Sequence, residues 1–158
     1  MTDGESFAAA LRHEHRDIDR GLARLRPGMP FTAEDATVVL EAGDALRRHI
    51  YLEETFVFPP LYNAGLVAPV LIMLRQHGQI WATLDALQQQ LSTADRSGTA
   101  PASSRRLAVQ LQHHNAHEER VLYPAADAEI FPATATTLRA FLESGTLPSG
   151  WVCIRART

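Results

Sequence analysis

The residues best suited to chemistry lie in one stretch that the sequence contains twice. The first copy, HIYLEETFVFP, begins at His49, and the second, HNAHEERVLYP, begins at His114. Each copy places a histidine and a glutamate four residues apart, His49 with Glu53 and His114 with Glu118. Four residues turn an α-helix by about 400°, so both side chains share one face. Two such helices facing each other would gather two imidazoles and two carboxylates, which is the geometry of a two-metal site.

One further histidine precedes each copy on an earlier predicted helix, His15 before the first copy and His77 before the second. A pseudo-two-fold axis would then relate the two halves of the chain. The candidate metal ligands are His15, His49, Glu53, His77, His114 and Glu118. Imidazole and carboxylate suit iron, manganese or zinc, and Cys153 is the only cysteine, so a thiolate-rich site is excluded. Six such ligands suit two metal ions, each with two histidines, bridged by Glu53 and Glu118.

Two of the histidine positions leave alternatives open. His13 lies two residues from His15, about 200° round the helix, so both cannot point inward. The neighbouring apolar positions share the face of His15 and favour it. His113 offers a second register for Glu118, but alignment of the two copies on their final prolines favours His114.

Several other side chains are expected to support or line the site. His117 lies near the ligand face of its helix and is a candidate donor to a bridging carboxylate. Glu54 and Glu119 lie about 140° from the histidines of their copies. We therefore expect them at helix interfaces or in solvent, paired with arginines such as Arg47 or Arg120. The pocket lining is predicted to include Phe56, Met73 and Trp81, whereas Phe58 and Tyr123 are expected to fill one end of the fold.

Apolar residues at three- and four-residue steps predict the helices that must position these side chains. Four long helices are expected, from the Ser6 cap to Pro27, from the Thr32 cap to Pro59, from Pro69 to about Ser92, and from Pro101 to Pro124. A short helix should follow near residues 134–143. The pattern predicts an all-α, antiparallel up-down-up-down four-helix bundle over residues 1–144. Residues 145–158 are expected to form a non-helical tail, packed onto one end of the bundle by Trp151 and Ile154.

The ordered pattern of one histidine followed by His-x-x-x-Glu, twice over, resembles the hemerythrin-like family of non-haem di-iron proteins, the HHE cation-binding domain. The resemblance covers roughly residues 6–130. It implies a four-helix bundle with a carboxylate-bridged centre of two iron ions per chain. It also implies that the protein binds or senses oxygen, handles peroxide or nitric oxide, or takes part in iron homeostasis. Oxygen-carrying members have a second histidine four residues before the third-helix ligand, where this chain has Met73, and this difference disfavours reversible oxygen carriage.

Composition excludes several other classes of function. The chain has 158 residues and a net charge of −3 with neutral histidines, which disfavours partners such as nucleic acid or an anionic membrane. Its apolar runs are shorter than the roughly 20 residues that span a bilayer. The N-terminal stretch has acids where a signal peptide has bases, so we expect a single cytoplasmic domain.

Our main functional prediction is a di-iron protein that binds or reacts with oxygen, peroxide or nitric oxide. Zinc and manganese suit the same donors. The alternative is a metal-dependent redox or oxygen sensor that signals to a protein partner without turnover. The sequence leaves open whether the chain is an enzyme, and it does not identify that partner.

Overall fold

The computed structural model describes residues 6–93, 98–130 and 132–156, and every regular element within them is helical. The elements are α1 (Phe7–Leu22), α2 (Ala33–Leu52), a first π segment (Glu53–Val57), α3 (Phe58–Asn63), α4 (Val67–Thr93), α5 (Ala102–His117), a second π segment (Glu118–Leu122), α6 (Tyr123–Glu129), α7 (Pro132–Ser144) and a 3₁₀ turn (Ile154–Ala156). The predicted all-α class is confirmed. No helix within the described ranges is long and apolar enough to cross a membrane.

The first two helices begin at the caps that the sequence predicts. The Ser6 hydroxyl accepts a hydrogen bond from the backbone N–H of Ala9 at 3.1 Å. Thr32 and Asp35 form a reciprocal capping box, in which each side chain accepts the backbone N–H of the other, at 3.1 and 3.0 Å. These caps satisfy backbone donors that would otherwise lack partners at the helix starts.

The α-helical hydrogen bonding is interrupted at the glutamates Glu53 and Glu118, before the prolines that we expected to interrupt it. The N–H of Phe58 donates to the carbonyl of Glu53, and the N–H of Tyr123 donates to that of Glu118, so each turn is one residue wider than an α-turn. The prolines that follow then fall in the first turn of α3 or α6, where a missing N–H is tolerated. Both copies of the repeat thus carry the same π segment.

Two apolar clusters flank the region where the predicted ligands lie. On α1, Leu11 belongs to one cluster and Ile18 to the other, with His15 between them. On α4, Met73 and Ile80 bracket His77 in the same way. The histidines therefore form a polar layer inside an otherwise apolar interior.

The loop after α1 is joined to the loop before α5. The N–H of Phe31 donates to the carbonyl of Gly98 at 3.2 Å, and the N–H of Ala100 donates to that of Met29 at 2.9 Å. These bonds form an isolated antiparallel bridge between Pro30 and Thr99. The bridge ties together two connections that are distant in sequence.

The C-terminal segment (residues 145–156) departs from the prediction in two respects. It was expected to contain no helix, but Ile154–Ala156 form one 3₁₀ turn. It was expected to sit on one end of the fold, but its backbone lies against Gly78, in the middle of α4. The Trp151 ring packs against Trp81, as expected for a residue that holds the segment to the fold. The Ile154 side chain, which was expected to do the same, is 47% exposed, and the neighbouring Cys153 is the buried residue. Residues 1–5, 157 and 158 of the predicted domain and tail lie outside the described ranges.

Candidate metal centre

All six predicted ligands converge in the polar layer, and all are buried. They form two overlapping groups, His15, His49, Glu53 and Glu118, and Glu53, His77, His114 and Glu118. Within each group, the possible ligand atoms lie within 4.8 Å of one another. The two glutamates belong to both groups, so the arrangement offers two adjacent cation positions with shared carboxylates.

The four imidazoles point their Nε2 atoms at the two glutamates. The Nε2–carboxylate distances are 3.4 Å from His15 to Glu118, 3.4 Å from His49 to Glu53, 3.3 Å from His77 to Glu53, and 3.2 Å from His114 to Glu118. The second and fourth contacts join residues four apart on one helix, as the spacing predicted. The other two join helices that are separate in sequence. Each carboxylate therefore meets one histidine of its own helix and one of another helix.

The opposite ring nitrogen of each histidine is held by an acceptor on a neighbouring helix. These Nδ1 contacts join His15 to Glu119 (3.0 Å), His49 to Glu14 (2.8 Å), His77 to Glu54 (2.9 Å) and His114 to Gln76 (3.0 Å). Carboxylate and amide oxygens accept, so each Nδ1–H donates and each Nε2 presents its lone pair to the centre. This tautomer and orientation are the ones that a metal-binding histidine requires.

Sequence reasoning missed the role of these acceptors. Glu54 and Glu119 lie at helix interfaces as expected, and Glu119 is 4.0 Å from an arginine, Arg12, but each also accepts the Nδ1–H of a histidine from the other half of the chain, which was not predicted. Glu14 and Gln76 were not singled out. The repeat contains the missing signal, because an acceptor follows each of the two shared glutamates and precedes the histidine of each earlier helix. Helical angles within one copy cannot reveal it, since the bonds cross between helices.

Tyr123 lies in the site and does not fill the end of the fold as predicted. Its hydroxyl donates to Glu53 at 2.7 Å, and its oxygen lies 2.8 Å from the Nε2 of His15. An α-helix would turn Tyr123 about 140° away from Glu118, five residues earlier. The π segment closes one turn in five residues and places both side chains on one face. In the first copy, Phe58 occupies the matching position and stacks on His77 at a centroid distance of 5.3 Å.

Burial and mutual charge shift the titration of the site strongly. Burial lowers the pKa of His49, but the charge of Glu53 and the bond to Glu14 outweigh burial and raise this pKa well above its usual value. In the same way, burial lowers the pKa of His77, and the neighbouring carboxylates of Glu53 and Glu54 outweigh it and raise this pKa to about 9. Burial and the charge of Glu53 together raise the pKa of the Glu118 carboxyl well above its usual range. The site therefore places two buried carboxylates, Glu53 and Glu118, close together, and the charge of each must be compensated by positive charge nearby.

The polar atoms left without partners fit a bound cation. Among the described residues, Glu53 Oε2, Glu118 Oε1 and His77 Nε2 are buried and have no hydrogen-bond partner. The Nε2 atoms of His15 and His49 lie 3.0 Å apart, and when both rings are neutral in the tautomer that their Nδ1 bonds select, two lone pairs face each other. A cation between such atoms satisfies them all. The mixed nitrogen and oxygen donors suit iron, manganese or zinc.

The structure places the remaining candidates as follows. His13 and His113 are exposed, so the first and fourth histidines of the centre are His15 and His114. His117 is partly buried, and its Nε2 has no hydrogen-bond partner among the residues that the structure describes. Of the predicted lining, Met73 is fully buried in the cluster that contains Tyr123, while Trp81 contacts Trp151 and Phe56 contacts Tyr51 and Phe141.

Comparison with known families agrees with this geometry. A family model described as the hemerythrin HHE cation binding domain matches residues 6–126, a range that includes all six candidate ligands. No curated protein and no solved structure matches the chain. The match spans most of the sequence, and the resemblance seen in the repeat is confirmed. The chain belongs to the hemerythrin HHE cation-binding domain family.

Proposed function

We propose that the chain is a non-haem di-iron protein that binds or reacts with oxygen or a related small oxidant such as peroxide or nitric oxide. The observation that carries this proposal is the pair of buried His₂Glu₂ groups with shared carboxylates. His15 and His49 would hold one ion, His77 and His114 the other, and Glu53 and Glu118 would contribute to both. Iron bound there would supply one-electron redox chemistry and coordination positions for a small ligand.

The side chains around such a centre determine which molecules can reach it. Leu11 and Met73 on one side, and Ile18 and Ile80 on the other, belong to the apolar clusters that flank it, and the six candidate ligands are buried from bulk water. Tyr123 brings a hydroxyl into the layer, where it can donate a proton or a hydrogen bond. This environment favours small uncharged oxidants.

We further propose that α1, α2, α4 and α5 form an antiparallel up-down-up-down bundle within a metal-binding domain that extends to residue 144. Contacts along the first pair of helices support this arrangement, since Glu14 bonds Arg48 while Gly21, later in α1, lies against Ala42, earlier in α2. Contacts along the second pair follow the same order. Gln76 bonds His114, whereas Gln90 of α4 bonds Ser103 near the start of α5.

The proposal is tested by the metal content and visible absorption of protein expressed with added iron. We expect two irons per chain and charge-transfer bands that bleach on reduction and return with air or peroxide. The oxidant that restores the bands fastest identifies the class of small molecule. A colourless zinc protein, or a chain with one metal or none, would contradict the di-iron assignment.

The ligand set is tested with matched variants of adjacent histidines. His114→Ala should lose stoichiometric iron, because it removes one of the four ring nitrogens directed at the glutamates. His113→Ala is the control, because this neighbouring side chain is exposed and should leave two irons bound. Equal iron content in both variants would exclude His114 as a ligand.

A second candidate function is a redox or oxygen sensor that signals without turnover. The observation in its favour is that the C-terminal segment donates a hydrogen bond to Glu54, which holds His77. The ligand environment thus extends to a segment at the protein surface. Oxidant consumption with excess reductant separates the two functions when it is compared with the separately measured rate at which that reductant reduces the oxidised site. An enzyme sustains many turnovers faster than this non-specific re-reduction allows, whereas a sensor does not exceed it.

A further inference from the structure

One carboxylate joins the C-terminal segment to the candidate metal centre. The backbone N–H of Ile154 donates to Glu54 Oε2 at 2.9 Å, and Glu54 Oε1 accepts the Nδ1–H of His77 at 2.9 Å. Glu54 is only 8% exposed and His77 is fully buried. Both oxygens of this carboxylate are therefore fixed, one by the segment and one by the imidazole.

The segment can reach Glu54 because α4 has a glycine beside His77. A Cβ atom added at Gly78 would lie 2.8 Å from the Cβ of Arg155 and 3.0 Å from its carbonyl oxygen. These are sub-van-der-Waals distances, and a backbone carbonyl cannot rotate away as the end of a side chain can. The absence of a side chain at Gly78 therefore leaves the space on α4 against which the backbone of residues 154–156 packs.

A separate anchor holds the start of the segment. The Arg48 guanidinium donates to the carbonyl of Gly145 at 2.7 Å and to that of Leu142, near the end of α7, at 3.2 Å. The same guanidinium donates to Glu14, which accepts the Nδ1–H of His49. Disturbing the Ile154 contact therefore leaves the beginning of the segment attached.

We propose that residues 145–156 act as a positioning element for His77. The docked segment fixes Glu54, and Glu54 fixes the orientation and tautomer of His77, so that Nε2 faces the ion. Because coupling between two binding events is reciprocal, a metal ion on His77 also stabilises the docked segment. This inference rests on the proposed metal binding at the six ligands, and it adds that the two ions depend unequally on the C-terminal segment.

The sharpest test removes only the N–H of residue 154. Ile154→Pro deletes this donor, and proline is tolerated at the first position of a helical turn. Ile154→Ala is the matched control, because it keeps the N–H and removes a side chain that is 47% exposed. In anaerobic ferrous-ion titrations we expect Ile154→Pro to weaken one of the two ions by about 10–100-fold, the range seen when partners of metal ligands are lost. The other ion, and both ions in Ile154→Ala, should bind within about twofold of the parent chain.

A double-mutant cycle distinguishes positioning through Glu54 from general loosening of the fold. In a Glu54→Ala background, Ile154→Pro should have no further effect on ion affinity, because the carboxylate that connects the segment to His77 is absent. Gly78→Ala should reproduce the effect of Ile154→Pro by an independent route, since its new Cβ meets the backbone of Arg155. The proposal is overturned if Ile154→Pro binds both ions normally, or if it weakens binding equally in the Glu54→Ala background.

A readout on metal-free protein keeps the inference separate from the proposed function. In the parent chain, the buried Nδ1–H proton of His77 should give a slowly exchanging downfield NMR signal, because Glu54 holds it. Ile154→Pro should speed its exchange by at least about tenfold, while Ile154→Ala should not. If the parent chain binds no iron yet shows this difference, the proposed function fails and the positioning role stands. An unchanged exchange rate would reject the positioning role whatever the metal content.

Discussion

Tyr123 and Phe58 occupy matching positions in the two copies of the repeat but bring different chemistry to the site. The Tyr123 hydroxyl donates to Glu53, while the Phe58 ring stacks on His77. The histidine partners differ as well, because three are carboxylates and the fourth, at His114, is the amide of Gln76. The two candidate cation positions are therefore chemically unequal, although each is formed by one copy of the repeat together with residues of the other.

We predict that Tyr123→Phe destabilises the metal-free protein more than the metal-bound protein. Loss of a hydrogen bond to a buried charged group costs about 1.5–3 kcal/mol. In the metal-bound state the ion itself satisfies Glu53, so the cost there should be below about 1 kcal/mol. Urea unfolding with and without metal measures both values. Tyr62→Phe is the control, because Tyr62 is 44% exposed and its change should be near zero in either state. Equal losses for Tyr123→Phe in the two states would contradict this explanation.

At the residue scale, the sequence identified six residues that the structure gathers in one buried layer, four of them because a His-x-x-x-Glu pair needs only the geometry of one helix, and His15 and His77 because one histidine precedes each copy. The partners of the ligands were not predictable in that way. The bonds from His77 to Glu54 and from His15 to Glu119 join residues 23 and 104 positions apart, so they depend on how helices are placed against each other. Spacing rules carry no information on that placement.

At the scale of the elements, an interruption of helical hydrogen bonding at the end of each copy was predicted, but it was assigned to the prolines, which in fact lie in the first turn of the next helix. The chain widens to a π turn that begins at Glu53 or Glu118, before the prolines. The widened turn is what brings Tyr123 to the face of Glu118. An expectation based on 3.6 residues per turn cannot place that side chain correctly.

Two glycines within helices give opposite predictions for the same substitution. A Cβ at Gly21 would lie 2.6 Å from the Cβ of Ala42, where α1 packs against α2, whereas a Cβ at Gly43 would lie 3.5 Å from a methyl group of Leu84. Gly21→Ala should destabilise the protein by about 1–3 kcal/mol through overpacking. Gly43→Ala should stabilise it by up to about 1 kcal/mol, because alanine favours the helix interior. Denaturant unfolding of both variants checks the signs, and a stabilised Gly21→Ala would show that α1 and α2 do not pack this closely.

At the scale of the whole molecule, a layer of buried ionisable groups separates the two apolar clusters. Burying charge without compensation is costly, and hydrogen bonds alone leave Glu53 Oε2 and Glu118 Oε1 unsatisfied among the described residues. The overall helical fold was predictable because the apolar periodicity extends through both halves of the chain. The sequence could not predict how much of the stability depends on the polar layer, because that amount is set by whether the site holds an ion.

We predict that removing the metal lowers the unfolding temperature substantially. An ion present at 100 times its dissociation constant stabilises the folded state by about 2.7 kcal/mol, so two such ions contribute about 5 kcal/mol. For a chain of this length each kcal/mol corresponds to roughly 2–4 °C, which gives a shift of roughly 10–20 °C. Thermal unfolding at several ion concentrations, and again after chelation, measures the shift and its dependence on concentration.

The source of this stabilisation is checked with a ligand variant. His49→Ala removes a ligand of one proposed ion, so its chelation-dependent shift should fall to half or less of the parent value. His13→Ala, which alters an exposed histidine paired with Asp17, should retain the full shift. If chelation leaves the unfolding temperature of the parent chain unchanged, protons must compensate the buried carboxylates, on Glu118 itself and on the histidines His49 and His77 that face Glu53. The high pKa of Glu118 would then describe the resting state of the protein, and the polar layer would not depend on a metal for its stability.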